Sequence, residues 1–566
     1  MNENKNLILA VVLSALILLG WSFLSEKFLP SNPPPKVEKG KVQPQVQGPN
    51  GNPVAANASH LRDRPVVLRE TPRVLIETPA LHGSINLKGA RIDDLWMLKQ
   101  HVTYKKDSSP VALLNPQGTW ASSFVGFSWN GPNAPDANTV WKASAPILSP
   151  GKPVTLSWVS PTGQTYQLIV SIDDLYLFTV EQRVTNASGQ PIQVQPYSYS
   201  SRAGRSADMS SWTVHVGPIS VRDGKADYDV DWKTIREAGA NGLSYDSPKG
   251  WIGFTDKYWL TALASQGPTR DSFRYSQTGS YQADSVAPAS ILAPGQTSSF
   301  TTSVFAGAKE KAALDRYEKA GITKISKSID WGYFEWFMRP IFDLLNWLFH
   351  QIGNFGVAII CLTLIVRGLM FPIAQKQFQS MAAMRKLQPK MKAIQERYKD
   401  DKPKLQQEMM KLYQQEKINP AAGCLPILLQ IPIFYALYKV LMVAVEMRHQ
   451  PFALWLKDLS APDPMTPVNL FGYLDFVPPH FLAIGVLPIL LGVTMWLQFK
   501  LNPAPVDPTQ AQIFAIMPWV MVFVMAPFAS GLQLYWVTSN VLTILQQWWL
   551  YKRYGLHFSD THPATT

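Results

Sequence analysis

Acidic side chains are missing from every long apolar run of this 566-residue chain. Cysteine is nearly absent as well. Its 2 cysteines are Cys361 and Cys424, so residues 1–360 hold none and cannot be stapled by disulfides. No CxxC and no Cys/His cluster is present, so neither a metal nor a cofactor is expected. H-E-x-x-H and G-x-S-G are missing, and no apolar run has an Asp, which argues against an intramembrane protease. Only 16% of residues are charged, and the net charge is +12. Much of that excess sits between Gln375 and Pro420, where 11 Lys/Arg face 5 Asp/Glu. One basic block between apolar runs suggests a cytoplasmic loop rather than sequence recognition of nucleic acid.

What is present changes texture along the chain. Leu7 to Leu24 is apolar and about one bilayer long. No clear A-x-A follows it, so residues 1–28 read as an uncleaved anchor, with a cleaved signal peptide as the alternative. Residues 29–70 have the Pro, Gly, Asn and Gln content of a flexible linker. Residues 71–307 alternate in short runs such as "TYQLIVSI" and "LYLFTVEQRV", separated by turn signals such as "NASGQP". That period of two predicts a large extracytoplasmic all-β domain, a sandwich in preference to a barrel.

Residues 308–353 read as connecting helices. "AKEKAALDRYEKAGI" is expected to form one of them. In "YFEWFMRPIFDLLNWLFH", Phe334, Phe337, Ile341, Leu344 and Leu348 share a face at helical spacing. This fits a helix lying in the bilayer interface, kinked or split at Pro340, or else a buried amphipathic helix. Residues 354–555 hold five more apolar runs, near 355–374, 422–445, 481–499, 512–529 and 531–550. Placing the basic block inside gives six transmembrane helices, with both termini cytoplasmic and the β domain outside. A short tail, 556–566, completes the chain. Lys439 lies near the outer end of its run, where snorkelling suffices.

"CLTLIVRGLMFP" has one arginine, Arg367, about nine residues before Lys376, or roughly 13 Å of helix rise. Such a charge costs at least about 2.5–3.5 kcal/mol at mid-membrane. No neighbouring run offers a carboxylate, so water, carbonyls, phosphate or another molecule must meet it. Nearby polarity favours water. Thr363 is one turn away, Gln430 lies in the third span, and Gln533, Trp536, Asn540, Thr543 and Gln547 form a stripe in the last, widened by Ser539 and Gln546. A hydrated cavity accounts for all of these; ordinary interhelical hydrogen bonding accounts for the stripe alone.

The basic block, 376–417, is itself patterned. Met384, Leu387, Met391, Ile394 and Tyr398, then Leu405, Met409 and Leu412, predict a helical hairpin with a narrow, Met-rich seam. A self-packed connector explains that seam equally well.

The stretches "IVRGLMFPI", "QSMAAMRKLQPKMKAIQERY", "EKINPAAGCLPILLQIPIFYALY", "PFALWLKDLSAPDP" and "SGLQLYWVTSNVLTILQQ" resemble the YidC/Oxa-type membrane protein insertases over roughly residues 355–555. The anchored β domain before them resembles the Gram-negative YidC type, whose domain is a β-supersandwich. The resemblance implies a bacterial inner-membrane location. It also implies five core helices around a hydrophilic groove, open to cytoplasm and lipid, with Arg367 as its arginine. Thr363 and the polar face of the last span would line it, and Tyr535 and Trp536 would be groove contacts, with Trp standing where a Tyr-Tyr pair is common. Ile431, Phe434 and Pro518 would flank an incoming segment. The hairpin would receive substrates. Implied partners are nascent membrane proteins, the Sec translocon, the lipid bilayer and, since the tail is short and nearly neutral, a ribosome through the cytoplasmic loops alone. The segment "MTPVNLFGYLDFVPPH" departs from the family by making the outer loop before the fourth span long.

Two other classes compete. An anion transporter could use Arg367, but no obvious inverted repeat, broken span pair or membrane carboxylate supports one. An enzyme or sugar-binding module in the β domain would need more than His82, His101 and His215, beside which no nucleophile or acid/base pair stands out.

Overall fold

The computed structural model describes residues 61–206, 214–276, 279–332, 334–398, 401–416, 425–474, 483–501 and 508–553. The expected anchor at 7–24 lies outside them. Two compact units emerge. One takes in the described residues up to Gly332 together with Val443–Glu446; the other runs from 334 to Met442 and onward from Met447.

The first unit is a two-sheet sandwich of 11 and 9 strands among the described residues. Its strands alternate as the sequence pattern predicts. Gln164–Ile172 buries every second side chain, and Leu177–Asn186 does so in antiparallel register beside it. The sheets meet through Trp129 and Tyr166, 5.1 Å apart edge to face, and through the buried Gln182, whose Nε2 donates to the Ser128 carbonyl at 2.8 Å. Short helices α1 (Arg64–Arg69), α2 (Trp232–Ala238) and α3 (Lys311–Lys319) pack on this unit. Helix α3 is shorter than expected. The strand Thr297–Ala308 runs through Ala308, and Lys309 is buried, its Nζ donating to Thr255 Oγ1 and the Asp256 carbonyl. Tyr317 of α3 donates to Asp173 and accepts from the Tyr176 amide, so the β unit continues past the expected boundary at 307.

The second unit is helical: α4 (Glu335–Ile352), α5 (Phe355–Leu369), α6 (Phe371–Arg397), α7 (Lys402–Gln415), α8 (Leu425–Val443), α9 (Val486–Leu501), α10 (Pro508–Met525) and α11 (Ser530–Arg553). Helix α4 is one piece despite Pro340. It buries Met338, Phe342, Leu345 and Leu348; of the expected shared face Leu348 is buried, Phe337, Ile341 and Leu344 are half-buried and Phe334 is exposed. Lys439 is also a correction: its side chain is buried rather than lying out towards the surface.

Among the described residues no single helix is long and apolar enough to cross a membrane alone, although Phe355–Leu369 with Phe371–Gln379 is, as a pair bent by 55°. Gln430–Val443, Val486–Leu501 and Ala511–Met525 are apolar but short. Helix α11 has the length, at 24 residues, but the polar stripe dilutes its hydropathy.

Candidate functional site

Helix α5 starts at Asn354, whose Oδ1 accepts from the Val357 amide at 3.0 Å. It stops after Leu369 because Pro372 offers no N–H to the Gly368 carbonyl and its ring crowds that turn. Arg367 therefore stands in the last turn of a helix, just before the 55° bend. Across from it, α11 is anchored by Gln533, whose Nε2 donates to the Met525 and Phe528 carbonyls, both at 2.8 Å. This closes the turn from α10 and sets which face of α11 looks towards α5.

Between these helices lies a cavity of about 320 Å³, lined from α5, α6, α8, α9 and α11. Arg367 donates through Nε to Ser539 Oγ at 3.0 Å, and its second terminal nitrogen reaches the same hydroxyl. Gln430 bonds Tyr535 across the wall. Asn540 Nδ2 donates to Thr494 Oγ1 at 3.1 Å, and Thr543 donates to the Ser539 carbonyl at 2.8 Å. Ile431 and Phe434 supply an apolar flank, with Phe434 edge-on to Trp536 at 4.8 Å. No carboxylate is among the lining residues. Gln430 Oε1 and Gln546 Nε2 are buried with no hydrogen-bond partner among the described residues. Polar atoms so placed need water or a ligand's polar groups.

Seven of the nine predicted groove residues meet at this cavity: Arg367, Gln430, Ile431, Phe434, Tyr535, Trp536 and Asn540. Two do not. Thr363 is fully buried and donates to its own helix at the Ile359 carbonyl, 2.7 Å away. Gln533 is spent on the α10–α11 turn. The prediction missed Gln377 and Gln498, which line the cavity from α6 and α9. Both are uncharged amides at the ends of apolar runs, a signal readable in the sequence.

Apart from the cavity, α6 and α7 form the expected hairpin. Leu387, Met391 and Leu412 are its buried core, with Ile394, Met409 and Tyr413 packed around them. Tyr398 ends α6, its ring under the Lys404 ammonium at 5.5 Å. Met384 lies on α6 with its side chain outside the described set. Lys390 pairs with Glu416 at 2.7 Å across the hairpin.

A family model described as 60Kd inner membrane protein matches residues 347–556, which contain the whole cavity, and one described as YidC periplasmic domain matches 73–344. The membrane protein insertase YidC of Zymomonas mobilis is 46% identical over 98% of this chain and 96% of its own length. The chain belongs to the YidC family of membrane protein insertases. The YidC of Methylorubrum extorquens, 42% identical, is likewise covered to 96%. A crystal structure of an active YidC insertase with its first transmembrane domain resolved overlaps 84% of this chain and 92% of its own, at 18% identity and a TM-score of 0.36, too loose an overlap to argue from. As a YidC-family protein the chain is an inner-membrane insertase with a periplasmic domain, and that domain is the two-sheet sandwich.

Proposed function

We propose that the cavity beside Arg367 is where an entering membrane protein places the hydrophilic residues next to its apolar segment. The observation that carries this is a fixed cation meeting one hydroxyl, in a cavity without carboxylates and with apolar residues on one flank. Such a site attracts acidic and polar groups, and water in the cavity screens that attraction to a modest strength. The apolar segment slides past Ile431 and Phe434 into lipid, driven by burial at roughly 25 cal/mol per Å² of its own surface. No nucleotide or cofactor is required. In this reading the chain spans the membrane six times, both termini are cytoplasmic, and the basic hairpin receives the nascent substrate. Larger substrates engage it beside the Sec translocon, and a ribosome contacts only its cytoplasmic loops.

Reconstitution tests the activity. The pure chain in liposomes should insert a short single-span protein lacking a signal peptide, and a cysteine at Ser539 should cross-link to that substrate in transit. Insertion without cross-linking at Ser539 or Gln430 would move the site elsewhere. Impermeant labelling tests the topology. Cysteines at Lys106 and Pro464, both exposed, should label from outside and one at Lys392 should not. Pro464 serves here because neighbouring Asp463 is buried.

A further inference from the structure

The long outer loop is the feature that the insertase activity leaves unexplained. Residues 464–474, "PMTPVNLFGYL", contain no charged side chain. Yet Val468, Leu470, Phe471, Tyr473 and Leu474 are all exposed, Tyr473 to 90%. Five large apolar or aromatic side chains within seven positions are an unusual display for an aqueous loop.

The loop is not loose. The Phe471 amide donates to the Thr466 carbonyl at 2.8 Å, the Tyr473 amide to Leu470 at 3.3 Å and the Leu474 amide to Asn469 at 3.1 Å. Thr466 and Asn469 are buried and bonded to each other at 2.9 Å. Polar groups are thus turned inward and paired while apolar side chains point out. Leu470 and Phe471 hold this display with φ of 50° and 58°, a left-handed conformation that such residues rarely adopt. Irregular backbone is not tolerated within hydrocarbon, so only the outward side chains of such a turn can dip below the headgroups.

The base of the loop is fixed to a helix end. Buried Asp463 accepts from the Leu487 amide in the first turn of α9 at 2.8 Å, and from the Met465 amide and Trp455 Nε1. The Val486 amide donates to the Met465 carbonyl at 3.0 Å. Gly485 permits this closeness, since a Cβ there would lie 2.5 Å from the Asp463 Cβ. The apolar display therefore begins at the very end of α9 that the proposed topology places at the outer membrane boundary.

We propose that Thr466–Leu474 is a lipid-dipping wedge: its apolar side chains enter the outer leaflet beside the start of α9, with Tyr473 at the headgroup level where aromatic rings with a polar tip partition. The proposal rests on the six-span topology proposed above. Lipid is favoured over a protein partner because the base of the loop is hydrogen-bonded to a membrane helix end and residues 464–474 have no charge to set a partner's orientation.

The test uses the full chain with Cys361 and Cys424 replaced by Ser and a single Cys at Tyr473 carrying an environment-sensitive nitrobenzoxadiazole dye. It is reconstituted in phosphatidylcholine and phosphatidylglycerol vesicles with nitroxide-labelled lipids. We expect blue-shifted emission, at least twofold quenching by a nitroxide high on the acyl chain, and little quenching by iodide. Water-like emission quenched by iodide would overturn the proposal, as would emission shielded only after a translocon is added, which would mean a protein occupant. Because Tyr473 is so exposed, replacing it leaves the loop's own bonds intact. Impermeant labelling at Pro464 reads the topology separately. Labelling there from the cytoplasmic side alone would refute the six-span arrangement and the outer-leaflet placement together. Outside labelling at Pro464 with an aqueous probe at 473 would refute the wedge alone.

Discussion

Substituting Arg367 by Ala, Lys and Glu should separate substrates by the charge beside their apolar segment. A sphere of the cavity's volume is about 8 Å across, so a carboxylate admitted to it lies roughly 6 Å from the guanidinium. With an effective dielectric between ~20 and ~80, that pair is worth ~0.7 to ~3 kcal/mol, or ~3- to ~100-fold in insertion. Arg367→Ala should therefore slow substrates with acidic translocated tails by that factor and affect neutral tails much less. Arg367→Lys keeps the charge and one donor for Ser539, and should retain most activity. Arg367→Glu should be worst for acidic tails, by repulsion, and milder for neutral ones. The assay is protease protection of one single-span substrate with acidic, neutral and basic tails, in liposomes bearing each variant. Equal losses for all three tails would refute the electrostatic reasoning and leave Arg367 a structural residue.

Three further outcomes follow from the packing and the titration. Gly356→Ala would place a Cβ 2.1 Å from the Phe452 ring, so the variant should lose ~1–3 kcal/mol, seen as a lower Tm in detergent and partly restored by Phe452→Ala. Burial raises the Glu446 carboxyl from its ordinary 4.5 to about 7, and the Lys311 amide is its donor. Its folded value being the higher one, the stability tied to it is full below about pH 4.5 and is lost as pH rises through about 7, on the order of 3 kcal/mol at most; Glu446→Gln should flatten the profile of thermal stability against pH. Deleting residues 70–332, the described β unit as far as Gly332, should leave reconstituted insertion intact, and a stable but inactive deletion would give the periplasmic domain a role beyond its fold.

The β domain was legible because burial on one face writes itself into a strand every second residue, as in Gln164–Ile172. The cavity was legible for the reason its chemistry is unusual: Arg367 and the α11 stripe stand out against runs without acids. Helical spacing says which side chains share a face, not what each bonds to. Thr363 shares Arg367's face yet spends its hydroxyl on the Ile359 carbonyl, and Gln533 belongs to the stripe yet closes a turn. The buried side of α4 has a similar origin. Aromatic residues all around that helix leave its packed side to be chosen by contacts such as Phe349 on Phe355, rings stacked at 3.8 Å, which no periodicity encodes.

The break between α5 and α6 has a further electrical meaning. A continuous helix through this region would leave Arg367 mid-way along a rod whose peptide dipoles cancel locally. Interrupted at Met370, the rod turns by 55°, so the negative end of α5 beside Arg367 is only partly offset by the positive start of α6, which points off its axis. The guanidinium sits within one turn of that negative end. Pro372 thus does more than redirect the chain: it installs a diffuse counter-charge made of backbone, which cannot be protonated, exchanged or drawn away by a passing substrate. A carboxylate in the same place would neutralise the arginine outright and compete with every acidic residue entering the cavity. A severed helix steadies the cation and leaves it available.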